Sequence, residues 1–293
     1  MKKYILLFSV FFLLSGCRDF LTEDFRSGEN SESILSSEET FETLINSCYV
    51  SLRAWYGKEN AWDLTEVGTD LYTWGLDNRS QGFCTYATFT TSEEQERVGA
   101  LWREFYKALN NCNLVLARID EVPFATEAMR EQRRAEVRFL RAHYSWLIAE
   151  IWGGVHYTTE PSLVATREAN RTPVEEIYAQ IFADLEAAVD VLPEQTDAAN
   201  YGRATKAAAE AMLARCHLYR GNYAQAKTYA ANVINNYDFE LLDNWEDIWD
   251  IENIKNPEIV WAVNYSNDPV FTNAGLTDLD GELYNTSGII QRE

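Results

Sequence analysis

The fold is decided by one stretch, GRATKAAAEAMLARCHLYRGNYAQAKTYAANVI, which runs from Gly202 to Ile234. Alanine and leucine recur at helical spacing on both sides of a turn signal, Gly221-Asn222-Tyr223. The spacing is typical of a tetratricopeptide-like helical hairpin, and its key positions are Leu213-Ala214, Gly221, Tyr223, Ala226 and Ala230. One such hairpin cannot bury both of its faces, so we expect further helices to pack against it.

Four further helical patterns precede the hairpin and predict a mainly α-helical protein. They run from Ser36 to about Trp55, from Ser92 to just before Pro123, from about Thr126 to Trp152 and from Thr172 to Pro193. The first opens with a capping box, Ser36 with Glu39, and the fourth opens with Thr172 as its cap and Pro173 at its first helical position. Residues Pro257 to Tyr265 are β-branched and aromatic and predict a strand, so the expected β component is minor.

The segment from Gly57 to Thr91 has no helical periodicity and predicts a long irregular loop with a binding role. The chain of 293 residues carries 9 Trp and 16 Tyr, more rings than a core usually needs, and sugar C–H faces stack on such rings. The candidate ligand-binding residues combine these rings with groups that hydrogen-bond hydroxyls: Trp55, Trp62, Asp70, Tyr72, Trp74, Asp77, Asn78 and Arg79. The alternative, that each ring packs beneath the loop as a satellite core, stays open.

Charge and motif content exclude several classes of function. The formal net charge of −21, from 25 Lys plus Arg against 46 Asp plus Glu, argues against a nucleic acid partner. His143, His156 and His217 are far apart in the sequence, and we find no CxxC, H-E-x-x-H or G-x-S-x-G motif. We therefore expect no metal, no cofactor and no catalytic residue. Paired carboxylates such as Glu246-Asp247 leave a glycosidase open as an alternative.

The N-terminal residues predict a lipoprotein export signal. Lys2 and Lys3 precede an apolar run that is shorter than the roughly 20 residues of a bilayer span. The run ends in Leu14-Ser15-Gly16-Cys17, whose small residues before a cysteine suit a lipoprotein signal peptidase. We predict a signal peptide over residues 1–16, lipidation of Cys17, a tether over 17–36 and a helical domain over 37–293. An ordinary signal peptide that contains a cysteine is the alternative.

Four other cysteines, Cys48, Cys84, Cys112 and Cys216, follow at separations of 36, 28 and 104 residues. Cys48 and Cys112 lie inside helical patterns, and Cys216 lies among Ala and Leu. This placement favours buried small hydrophobic side chains over disulfides, but it does not decide their redox state.

Five spaced segments, together with the lipobox, carry a resemblance to a known family. They are Leu101-Trp102-Arg103-Glu104-Phe105-Tyr106 leading to Asn113, Arg138-Phe139-Leu140-Arg141-Ala142 leading to Trp152-Gly153-Gly154, Thr172-Pro173 to Pro193, Gly202-Arg203-Ala204-Thr205-Lys206-Ala207-Ala208 to Tyr223, and Glu258-Ile259-Val260-Trp261. In this order they resemble the SusD/RagB family of surface lipoproteins. The resemblance spans nearly the whole chain after the signal peptide.

The resemblance implies a SusD-like helical fold with tetratricopeptide-like hairpins, long loops and a lipid anchor at the outer membrane. It further implies a protein that captures extracellular oligosaccharide and delivers it to a SusC-like TonB-dependent transporter. Two alternatives stay open: a binder of peptides rather than glycans, and a structural lipoprotein that contacts only the transporter. Family members are considerably longer, so we expect this chain to be an N-terminal portion that lacks the C-terminal part.

Overall fold

The computed structural model describes residues 34–56, 61, 64–65, 92–164, 169–196, 200–250 and 253–264. Its α-helices are α1 (Glu38–Val50), α2 (Ser92–Arg118), α3 (Glu127–Trp152), α4 (Val174–Val189), α5 (Lys206–Tyr219) and α6 (Tyr223–Asn236). Short 3₁₀ segments follow at Ser51–Ala54, Ile119–Glu121 and Trp245–Trp249. The predicted mainly α-helical fold is confirmed. Residues 1–33, which include the predicted signal peptide, Cys17 and most of the tether, lie outside the described residues.

Helix α3 is the centre of the fold. Every residue from Ala135 to Ala149 except Arg138 is buried, so this helix is covered on all sides. It packs against α1, α2, α4 and α5, and α5 packs in turn against α6. The helices thus stack side by side in chain order, with α5 and α6 as the hairpin at one end.

A side chain caps the first turn of α1, α3 and α5. Thr126 accepts a hydrogen bond from the Met129 amide at 3.1 Å, and Thr205 accepts one from the Ala208 amide at 3.2 Å. The cap of α1 is Ser37, one residue later than the predicted Ser36, and its hydroxyl accepts from the Thr40 amide. These bonds satisfy amides that have no partner in the first turn.

Helix α4 also begins one residue later than predicted. Its N-cap is Pro173, and Val174 rather than Pro173 is the first helical residue. The reason is an isolated antiparallel bridge in which the Thr172 amide donates to the Val155 carbonyl at 2.7 Å. Because Thr172 is held in extended backbone by this bridge, its side chain does not cap the helix.

Glycines terminate two helices as the sequence predicts. Gly153 has φ +71° and donates its amide to the Ala149 carbonyl at 2.9 Å, which closes the end of α3. Gly221 has φ +72° and allows the Asn222 amide to reach the His217 carbonyl at 2.8 Å. The predicted hairpin turn between α5 and α6 is therefore confirmed.

The predicted strand over Pro257 to Tyr265 is wrong within residues 257–264, which the structure describes. The backbone there forms turns and a single bridge position at Ala262. Side chains fasten it instead: the Trp261 indole donates to the Gly202 carbonyl at 2.9 Å, and the Asn264 amide group donates to Tyr201. The apolar run is thus used to pack against helices, where Trp261 meets Phe139 edge to face at 5.0 Å.

Candidate functional site

Of the eight predicted ligand-binding residues, Trp55 alone lies within the described part of the chain. The other seven lie outside it: Trp62, Asp70, Tyr72, Trp74, Asp77, Asn78 and Arg79. Their roles, and the predicted lipidation of Cys17, stay predictions. The described part of the site consists of the residues that border the predicted ligand loop, residues 57–91.

Trp55 lies directly after the 3₁₀ segment Ser51–Ala54, where the chain enters the predicted ligand loop. Its ring is half-buried and packs on Phe105 of α2, with ring centroids 5.8 Å apart and planes tilted by 58°. The contact holds one part of the indole against the core and leaves another part accessible. Trp55 therefore joins the fold to the predicted binding region.

Three more rings extend this contact along α2 to the end of α3. Trp102 lies 4.5 Å from Tyr106 and meets Trp152 edge to face at 5.1 Å, and all three are half-buried. The Tyr106 hydroxyl donates to the His156 carbonyl at 2.6 Å, and burial raises the pKa of Tyr106 to about 12. We call this set the aromatic border cluster: Trp55, Trp102, Phe105, Tyr106 and Trp152.

A buried hydrogen bond fixes the chain where the predicted ligand loop begins. The Tyr56 hydroxyl lies 2.9 Å from His143 Nε2, and both side chains are buried. His143 belongs to α3, so the residue just before the loop is attached to the central helix. The loop thus leaves the fold from a rigid position.

A buried charge network joins α1, α3 and the turn before α5. The Glu136 carboxylate accepts from Arg133 at 2.6 Å, from Arg203 at 2.7 Å and from the Tyr49 hydroxyl at 3.0 Å. Arg203 and Arg133 also both pair with Glu42. Burial, together with the charge on Glu136, raises the pKa of Tyr49 well above its usual value, so the phenol remains a donor.

A second buried network joins α2, α3 and α4. Arg141 donates from Nε and Nη2 to the two carboxylate oxygens of Asp184, each at 2.7 Å, and from Nη1 to Asn113 at 3.2 Å. The Asn113 amide group in turn donates to the Thr158 carbonyl at 2.9 Å. Arg141, Asn113 and Arg203 all come from segments that carry the family resemblance, and within the described chain each one links elements of the fold.

A second aromatic surface is formed by Trp245 and Trp249. These side chains are 70% and 54% exposed, and their rings meet edge to face at 5.8 Å. Tyr219 and Tyr223 of the α5–α6 hairpin are exposed as well. The sequence does not predict this surface, because helical spacing and composition do not report how much of a tryptophan side chain the fold buries.

A shallow cleft lies beside this hairpin, with an empty volume of about 350 Å³. Its walls include Phe139 of α3, Met212 and Arg215 of α5, and Trp261. Most of the lining is apolar, which suits a hydrophobic contact better than a hydroxyl-rich ligand.

The described ranges contain neither a metal-binding cluster nor a membrane-spanning helix. No three His, Cys, Asp or Glu side chains converge there in a way that could hold a metal ion. None of the helices in those ranges is both long and apolar enough to cross a bilayer.

Known proteins are similar to this chain in sequence and in fold. A family model described as "Starch-binding associating with outer membrane" (SusD-like) matches residues 21–218. The SusD-like protein P25 of Formosa agariphila is 28% identical over 92% of this chain and 53% of its own length. The chain spans about half the length of the curated relatives that it matches most fully.

Two solved structures extend the comparison. Surface glycan-binding protein A of Bacteroides uniformis is 25% identical, with a TM-score of 0.68 over 78% of this chain and 53% of its own. A second structure, solved with a xylogluco-oligosaccharide, is 26% identical, with a TM-score of 0.64 over 80% of this chain and 49% of its own. Because the family model covers well over half of the residues and the helices superpose on these folds, this chain belongs to the SusD-like family of carbohydrate-binding proteins.

Proposed function

We propose that the protein is a cell-surface lipoprotein that binds extracellular oligosaccharide and delivers it to a SusC-like TonB-dependent transporter of the outer membrane. The observation that carries this proposal is the SusD-like family membership, whose description names starch binding at the outer membrane. A similar structure solved with a xylogluco-oligosaccharide supports an oligosaccharide as the ligand class. The predicted lipobox at Cys17 supplies the anchor.

The geometry around the predicted ligand loop fits a binding role. The aromatic border cluster connects Trp55 to α2 and to the end of α3. The Tyr56–His143 hydrogen bond fixes the chain just before the loop. Ligand-contacting rings attached to such a base need less ordering when a sugar binds, so more of the stacking energy appears as affinity. We assign sugar stacking and hydroxyl recognition to the loop residues predicted above, from Trp62 to Arg79, with Trp55 at its edge.

Affinity electrophoresis of the native protein in gels that contain single glycans tests the ligand class. We expect retardation by at least one glycan in a panel that includes starch, laminarin and xyloglucan. Trp62→Ala and Trp74→Ala should each weaken retardation at least tenfold, whereas Trp245→Ala, which is outside the predicted ligand loop, should leave it unchanged. No retardation by any glycan, together with binding of peptides, would contradict an oligosaccharide ligand.

The same panel separates binding from catalysis. Incubation of the protein with each retarding glycan should release no new reducing ends, because we propose a role in capture alone. Turnover that is lost in a carboxylate variant such as Glu246→Gln would instead support the glycosidase alternative.

The anchor and the partner need separate experiments. Cys17→Ala should leave the protein unprocessed or soluble, and its continued presence in the outer-membrane fraction would contradict the predicted anchor. A pull-down of the native protein from solubilised outer membranes should recover a SusC-like TonB-dependent receptor. If the receptor binds normally but no glycan binds either partner, the structural-lipoprotein alternative gains support.

A further inference from the structure

The segment that follows α6 presents two tryptophans to solvent. Trp245 is 70% exposed and Trp249 is 54% exposed, and Leu241, which precedes them, is 85% exposed. The two indoles meet edge to face with their ring centroids 5.8 Å apart, so they form one continuous aromatic surface. This surface, the Trp245–Trp249 pair, lies outside the predicted ligand loop.

Contacts other than those of the two indoles hold this segment in place. The Glu240 amide donates to the Pro257 carbonyl at 3.2 Å, and the Leu242 amide donates to the Glu258 carboxylate at 2.9 Å. Between the two tryptophans, Ile248 is the buried residue of the 3₁₀ segment. The fold thus fixes the backbone and leaves large apolar side chains at the surface, which is typical of a site of protein–protein interaction.

The charged residues that flank the pair are all acidic. The range 238–250 contains six carboxylates and no lysine, arginine or histidine. All six belong to exposed residues: Asp238, Glu240, Asp243, Glu246, Asp247 and Asp250. Because these like charges repel one another, a cation bound among them is stabilised. The face of an indole attracts a cation as well, so the rings and the carboxylates favour the same kind of group.

We propose that the Trp245–Trp249 pair docks a segment of a partner protein that presents arginine. Arginine fits both features of the surface, because its planar guanidinium stacks on an indole and forms paired hydrogen bonds with a carboxylate such as Glu246 or Asp247. Tryptophan and arginine are also the residues in which the binding energy of protein interfaces concentrates. This contact is separate from oligosaccharide capture and goes beyond the function proposed above.

The charge of the surface argues against occupants from this chain. A second copy brings a formal net charge of −21 and the same acidic segment. Residues 265–293 carry five Asp and Glu against a single basic residue, Arg292. Either occupant adds negative charge beside the pair, so charge complementarity favours a separate, basic partner. A neutral sugar stacks on the indoles but leaves the carboxylates repelling one another.

Photocrosslinking in intact cells tests the occupant. Trp245→p-benzoylphenylalanine is introduced into the full chain, and Leu163→p-benzoylphenylalanine is the control, because Leu163 is 75% exposed and lies in another segment. We expect position 245 alone to crosslink one partner protein, at a segment that contains arginine. Crosslinks from position 245 to a second copy, to this chain itself, to glycan or to a partner segment without arginine would overturn the proposal, and so would the absence of any crosslink.

The affinity of the crosslinked segment, synthesised as a peptide, tests the chemistry by titration calorimetry. Trp245→Ala in the protein, or lysine in place of arginine in the peptide, should each weaken binding about fivefold. Glu246→Gln combined with Asp247→Asn should weaken binding and reduce its salt dependence. Glu175→Gln combined with Glu176→Gln is the matched control, because it removes two exposed charges from α4 and should leave the affinity unchanged.

The two double variants separate docking at the pair from a general attraction between opposite charges. If both weaken the peptide equally, or if Trp245→Ala leaves the affinity unchanged, docking at the pair is overturned. Glycan retardation should stay unchanged in every one of these variants, so failure of the docking proposal and failure of the proposed function give different results.

Discussion

Helices α3 and α6 show how differently the centre and the edge of this fold bury a helix. Helix α3 buries fourteen of its 26 residues, and its buried charged side chains Glu136 and Arg141 are held in ion pairs. Helix α6 buries only Ala226 among its 14 residues, although it carries an apolar stripe, and its Ile234 is 72% exposed. The same kind of pattern therefore forms a helix at the centre and at the edge of the fold, while neighbouring elements decide whether its apolar face is covered.

This difference predicts where substitutions will matter. Helix α3 packs against four other helices, so a substitution that removes part of one of its buried side chains leaves a cavity or an unpaired charge. Around the α5–α6 hairpin, exposed groups exchange protein contacts for water at little cost.

Breaking the buried ion pair of α3 should have the largest effect. Arg141→Met leaves the Asp184 carboxylate buried without its guanidinium, which should lower the free energy of unfolding by about 3–5 kcal/mol, measured by urea denaturation. Arg220→Met is the matched control, because its partner Glu175 is 74% exposed, and about 1 kcal/mol or less is expected. Equal losses of unfolding free energy in the two variants would show that the buried and the exposed ion pair contribute equally to stability.

Two glycines with positive φ give the next comparison. A Cβ on Gly202, at φ +96°, would lie 2.2 Å from the Asn264 amide nitrogen, in the contact that fastens the segment around Trp261. A Cβ on Gly221, at φ +72°, would meet nothing within 4 Å. Gly202→Ala should therefore destabilise the protein by about 2–3 kcal/mol and Gly221→Ala by about 1 kcal/mol.

Thermal unfolding of the two alanine variants measures this difference. Both positions have positive φ, and the clash with Asn264 is specific to Gly202, so we expect it to account for the excess loss in Gly202→Ala. Asn264→Ala added to Gly202→Ala should recover part of that excess, since it removes the obstructing amide group. No recovery would show that strain alone limits this position.

Much of the helical framework could be predicted from the sequence, because each helix carries its own periodic stripe and its own stop signal. Thr126 and Gly153 are local signals, and both ends of α3 lie where they indicate. The predictions that differ from the structure concern segments that depend on tertiary contacts. Thr172 is drawn into a bridge with Val155, and the run around Trp261 packs on helices instead of entering a sheet.

The candidate site could be predicted less completely, because the exposure of a ring is a tertiary property. Trp102 and Trp245 each have a glutamate within the next two positions of the sequence, yet Trp102 lies in the aromatic border cluster and Trp245 lies open to solvent. The roles of Arg141 and Arg203 also depend on partners that are distant in sequence, Asp184 and Glu42. Residue type alone therefore marks these positions without showing what they contact.

A pH titration should affect the hairpin specifically. The His217 ring lies between Phe182, at 4.2 Å, and Tyr229, at 5.7 Å, and its Nε2 has no hydrogen-bond partner among the described residues. Burial lowers the pKa of His217 below its usual 6.5, against an opposing effect of Glu186. Protonation therefore favours the unfolded state, so stability is full above about pH 6.5 and falls as the pH decreases below it.

Hydrogen exchange of the α5 and α6 amides between pH 8 and pH 5 measures this effect on stability. It should be smaller than the effects of Arg141→Met and Gly202→Ala. His217→Phe keeps an aromatic ring between Phe182 and Tyr229 and cannot gain a proton. After correction for the intrinsic pH dependence of amide exchange, the variant should lose the acid-induced decrease in protection factor while matching the wild type at pH 8. An unchanged pH profile in His217→Phe would assign the acid sensitivity to other groups.

The smallest effect is expected at the exposed aromatic surface. Trp245→Ala should change the free energy of unfolding by no more than about 0.5 kcal/mol, because the indole is 70% exposed and little of it leaves water on folding. Trp55→Ala should cost about 1–2 kcal/mol, since part of that ring is buried against Phe105. Glycan retardation adds an independent measurement: we expect it to weaken in Trp55→Ala and to stay unchanged in Trp245→Ala. If Trp245→Ala abolishes retardation while stability is unchanged, sugar binding belongs to the exposed Trp245–Trp249 pair and the aromatic border cluster serves only to hold the fold.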